Sequence, residues 1–131
     1  MNFQPVRLHP GADIRRALIE MVATCGAGPA FLVSGIGSLV QGHLRFAGKA
    51  DETVIPGPLE IISISGSVTS DGAHLHVVVS DANGQVVGGH LGFGNIVRTT
   101  LEALVVFLPD WALTREPDAA TGFDELVIAP R

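Results

Sequence analysis

Residues 73–80, Ala-His-Leu-His-Val-Val-Val-Ser, constrain the fold more than any other stretch of the chain. Side chains alternate across a β-strand, so residues two apart share a face. Ala73, Leu75, Val77 and Val79 are uniformly apolar and form a core face. His74, His76, Val78 and Ser80 then point the other way, where a ligand or a partner subunit can reach them. The run ends at Asp81-Ala82-Asn83-Gly84, a turn sequence, and a second strand pattern follows from Gln85 to Leu91. The two runs make a hairpin.

The register of that hairpin decides where His90 lies. A three-residue loop Ala82-Asn83-Gly84, with Gly84 left-handed, pairs Asp81 with Gln85. His76 then faces His90 on one side of the sheet, with Cβ atoms about 5 Å apart. A two-residue Asn83-Gly84 turn would slip the register by one and flip His90 to the other face. That slip would also move Val86, a worse burial pattern, so the first register is preferred. It places Gly88 and Gly92 on either side of His90, leaving a hollow around the imidazole.

The rest of the chain suits a sheet with one helix. Residues 3–8 fit a first strand, broken by His9-Pro10-Gly11. Ile14, Leu18, Met21 and Val22 recur at helical spacing, and Cys25-Gly26-Ala27-Gly28-Pro29 ends that helix. Strands are expected over 30–33, 39–46, 59–68, 73–80, 85–91 and 99–108. Ser34-Gly35-Ile36-Gly37-Ser38 is expected to be a tight turn, 48–58 a loop, and Ile62, Ile64 and Val68 one face of their strand. After Pro109 a loop is expected up to a short strand at 126–128. The expected class is α+β: one domain over 1–131, an antiparallel sheet with one main flanking helix.

Composition narrows the function. The chain has 131 residues and a formal charge of −5, with 47% hydrophobic and 16% charged residues. That acidic balance argues against a strongly basic nucleic-acid surface. So little charge on so small a domain argues for an oligomer. One cysteine excludes an internal disulfide framework. No signal region or long apolar run predicts export or membrane insertion, so a cytoplasmic location is expected.

Three neutral imidazoles on one rigid face, His74, His76 and His90, suit a first-row divalent metal, with zinc the default and a fourth position left open. The competing explanation is polar residues hydrogen-bonded or solvated at a subunit interface. Glu60 and Glu102 lie in otherwise apolar strands, where either would orient a metal-bound histidine or pair with Arg45 or Arg98. Asn95 and Arg98 follow the hairpin and are candidates for binding a small anion near the metal.

Several stretches resemble the plants-and-prokaryotes-conserved (PPC) domain. They are Val33-Ser34-Gly35-Ile36-Gly37-Ser38, the block from Gly57 to Ser67, Asp71 through Leu91 with its Gly88-Gly89-His90 end, and Gly122-Phe123-Asp124-Glu125-Leu126. The resemblance implies an antiparallel sheet assembled as a homotrimer, with His74, His76 and His90 at a metal site near the trimer interface. The family also carries a DNA-binding label, largely from plant members with an AT-hook. The Arg-Gly-Arg-Pro segment of that hook is absent from this sequence. The resulting expectation is a non-enzymatic homotrimer binding a divalent metal and a small anionic ligand. The alternatives are a DNA-binding regulator and a metal-dependent hydrolase or lyase, for which Glu60 or Glu102 is the candidate base.

Overall fold

Helix α1 (Ile14–Cys25) forms where the periodicity places it. Asp13 caps its start by accepting from the Arg16 N–H at 3.2 Å, and Gly26 ends it in the left-handed conformation. Ile14, Leu18 and Val22 are buried on one stripe, which packs against the sheet at β5 and β6. The computed structural model describes residues 2–131. Its strands are β1 (Asn2–Leu8), β2 (Ala30–Leu39), β3 (Gly42–Arg45), β4 (Thr53–Ile55), β5 (Leu59–Thr69), β6 (Gly72–Ser80), β7 (Val86–Leu91), β8 (Val97–Phe107), β9 (Trp111–Asp118) and β10 (Phe123–Pro130).

The first eight strands form one antiparallel sheet in the order β1-β8-β2-β5-β6-β7-β3-β4, while β9 and β10 pair with each other. The core lies between this sheet and α1. Leu32 and Leu39 of β2, Ile61 and Ile64 of β5, Leu75, Val77 and Val79 of β6, and Leu101 and Val105 of β8 are buried there. Among the described residues, no helix is long and apolar enough to cross a membrane.

Four expectations need correction. Ser34-Gly35-Ile36-Gly37-Ser38 is not a turn but the middle of β2, paired to β8 with register shifts at 32/34 and 37/39. Its glycines admit close neighbours: a Cβ on Gly35 would meet Ile64 at 2.7 Å, and one on Gly37 would strike the Thr100 carbonyl. The run 39–46 turns at Val40-Gln41, so only its second half is a strand, and that strand pairs with β4 inside the expected loop. In β5 a bulge between Ile61 and Ser63 re-aims the chain. Ile61 and Ile64 face the core and Ile62 is exposed, contrary to simple alternation.

The fourth correction is the C-terminal segment, a full hairpin rather than a loop. Backbone pairing from Trp111↔Pro130 to Asp118↔Phe123 carries it, and most of its side chains are exposed, so burial periodicity had little to mark.

Gly66 in β5 holds a backbone position that leaves no room for a Cβ. It pairs with Leu75 at φ 148, and a Cβ there would run into the His74 carbonyl. Gly66→Ala should therefore cost more than about 1 kcal/mol. Urea unfolding measures this, and an unchanged midpoint would remove Gly66 from the account.

Candidate metal centre

The histidines are brought together by one turn. The Asp81 N–H donates to Gln85 O at 3.0 Å and the Gly84 N–H donates to Asp81 O at 3.0 Å, with Gly84 at φ 75. The Asp81 carboxylate accepts from the Asn83 and Gln85 N–H groups at 2.8 and 2.9 Å. This three-residue loop sets His76 opposite His90, as the turn chemistry requires. On the other side of β6, Ser65 pairs with His76 and Ser67 with His74. Beyond β7, Arg45 of β3 pairs with His90.

The three rings converge. His74 Nε2 lies 3.1 Å from His76 Nε2, which lies 3.2 Å from His90 Nδ1. The three ligand nitrogens all fall within 4.8 Å of one another. Two imidazoles bound tetrahedrally to zinc at about 2.05 Å hold their nitrogens about 3.3 Å apart. The two short separations fit a shared ion. The His74 and His90 rings stack at 5.1 Å between centroids, while His76 meets both edge-on at 4.9 and 4.5 Å.

The surroundings favour neutral rings. Burial is the main cause lowering His74 below the ordinary 6.5, with the charges of His76 and Arg115 assisting and Glu125 opposing. Burial likewise lowers His90, assisted by Arg45, His76 and His74. Neutral imidazole is the form that binds a metal. A cleft of ≈ 1110 Å³ opens beside His74 and His90. A smaller one, between β5 and the β9–β10 hairpin, reaches His74 and His76.

Residues 1–109 match the Plants and Prokaryotes Conserved (PCC) domain model. The chain belongs to the PCC domain family. It is 39% identical over 130 residues to a bifunctional protein GlmU from Synechococcus, aligning over 99% of its own length and 21% of that protein's. It thus spans about a fifth of the curated relatives it matches. A hypothetical protein from Salmonella shares its structure at a TM-score of 0.94 with 38% identity, covering 99% of this chain and 94% of that one. The metal-containing protein AF0104 from Archaeoglobus fulgidus aligns at a TM-score of 0.82 with 27% identity, covering 97% and 94%.

Within this PCC domain the other expected site residues fall elsewhere. Asn95 is fully buried and its amide is spent on backbone: Oδ1 accepts from the His43 N–H, and Nδ2 donates to the His43 and Gly92 carbonyls. It holds the β3 and β7 ends together and has no group left for an anion. Glu60 is exposed opposite Ser80, four residues along β6 from His76, which is about 13 Å of strand. Glu102 is exposed on β8 opposite Ile36, three strands from β6. Arg98 is exposed at the start of β8, and Glu60, Arg98 and Glu102 line neither cleft. None of them orients a histidine. The hollow expected at Gly92 is filled by the Glu52 carboxylate.

Sequence reasoning missed the cleft's own residues, Arg15, Glu52 and Arg115. Arg15 lies on α1, and its Nη1 donates to Leu91 O at 2.9 Å. Arg115 lies on the unforeseen β9 and donates to the Ser67 hydroxyl at 2.9 Å. Only Arg45 had a signal, its place in an expected strand.

Because His74 and His90 resist protonation in the folded chain, the unfolded chain takes up protons first as pH falls through 6.5. Stability of the metal-free protein is therefore lost below that value. Thermal melts after EDTA treatment should show Tm falling between about pH 7.5 and about pH 5.5. The His74→Gln, His90→Gln double variant should flatten that fall; an equal slope would contradict the effect.

Proposed function

We propose that this PCC domain is a homotrimeric metal-binding module in which His74, His76 and His90 hold a divalent ion, zinc by preference. The convergence of three imidazole nitrogens within 4.8 Å carries this reading. All three ligands are borderline nitrogen donors on adjacent strands, so the set is rigid and leaves a fourth position open. Such an ion would supply Lewis acidity to whatever oxygen fills that position. The metal-containing relative from Archaeoglobus supports the same reading.

The trimer is supported by the sheet face turned away from α1. Ile36, Ile62, Val78, Val86 and Leu104 are exposed there, on the side that also carries His74 and His76. Spread over several strands, this much apolar surface favours burial against further copies.

Untagged protein should contain about one metal per three-histidine site by elemental analysis, with His76→Ala losing it and melting lower. Light scattering should give three times the 13.6 kDa chain mass. Metal content near zero with an identical melting curve for His76→Ala would sink the metal. A monomer mass would sink the trimer.

A further inference from the structure

We propose that the cleft beside the histidines binds a small organic oxyanion, a carboxylate or phosphate on an apolar body, with Arg45 and Arg115 holding its acid group. Charge placement is the first support. The chain carries net −5 and only eight Lys and Arg, yet four of them, Arg15, Arg45, Lys49 and Arg115, line this one cleft. Three acids also line it, Glu52, Asp124 and Glu125, so cations prevail locally in an acidic protein.

Position is the second support. Arg45 pairs with His90 across β3 and β7, and Arg115 is tied to Ser67, the residue opposite His74. The two guanidinium groups therefore flank the histidine cluster from opposite sides. Each spends little on the protein: Arg45 donates once, to Lys49 O at 3.3 Å, and Arg115 once, to Ser67. Among the described residues their remaining donors are uncommitted, and a guanidinium fork matches carboxylate or phosphate oxygens in pairs. Arg15 Nε is buried without a hydrogen-bond partner among the described residues.

The walls suit an apolar body. Phe93 and Phe123 both line the cleft and are about half or more exposed, at 49% and 70%. The Arg15 guanidinium stacks 5.0 Å from the Phe93 ring centre, which fixes one wall. The volume accommodates a small molecule. The inference rests on the metal reading for one contact only. Three neutral imidazoles bring no charge to offset a divalent ion between two arginines, so an anion oxygen would both complete its coordination and balance it.

Titration calorimetry with phenyl phosphate, benzoate and inorganic phosphate tests this on cobalt-loaded and on EDTA-treated protein. One organic probe should bind saturably and more tightly than inorganic phosphate, and its arms decide between phosphate and carboxylate. R45Q and R115Q should each weaken it tenfold or more with cobalt content unchanged, R45K should fall between, and R7Q on the far edge strand should match wild type. No binding of either organic probe, or wild-type affinity in R45Q and R115Q, overturns the assignment. Arginine-dependent binding to protein that takes up no cobalt supports the cleft and sinks the metal. Cobalt uptake with no anion binding does the reverse.

Discussion

The pairing of Asp81 with Gln85 is the constraint on which the site depends. A β-hairpin has no partial register: one residue of slip turns every side chain of β7 over. With Gly84 left-handed and the Asp81 carboxylate holding two backbone N–H groups, the loop closes at three residues and His90 comes to face His76. A two-residue turn would send His90 toward α1, into a core that has no partner for an imidazole. Four backbone and side-chain hydrogen bonds at an exposed turn thus decide whether three histidines form one cluster or none.

Legibility of the chain followed where burial does the ordering. Residues 73–80 face core on one side only, so alternation in the sequence maps directly onto the two faces and places the histidines together. The same rule failed at Ile62 because a bulge adds a residue that alternation does not count. It failed at Gly35 and Gly37 because glycine signals a turn and a crowded strand equally well. It had least to offer on β9 and β10, exposed over most of their length. Asn95 shows the remaining gap: a polar residue near a site suggests ligand binding, while its burial and three backbone partners make it a joint.

The electrostatics of the cluster involve opposed demands. Partial burial lowers the pKa of His74 and His90 and so favours the neutral form, whose lone pair a metal requires. The nearby charges of Arg45 and Arg115 assist that by repelling a proton, but they repel a divalent cation by the same Coulomb term. A cationic rim around a candidate cation site is coherent only if something negative joins them. Glu52 covers Gly92 and Glu125 lies on β10, and both serve this in part, yet neither is among the three groups whose ligand atoms converge. The charge pattern therefore supports the proposed anion beside the proposed metal.

The division of labour along the chain follows the same logic. The family match covers 1–109, which contains the turn, the three histidines, Arg45 and Phe93. The hairpin beyond it contributes Arg115, Phe123 and Glu125 to the cleft walls through a sheet separate from the main one. Substitutions in that hairpin change what borders the cleft without disturbing β6–β7 register, because no ladder joins the two sheets. The geometry of the three histidines is thus set by one rigid sheet, while an appended hairpin borders the cleft beside them.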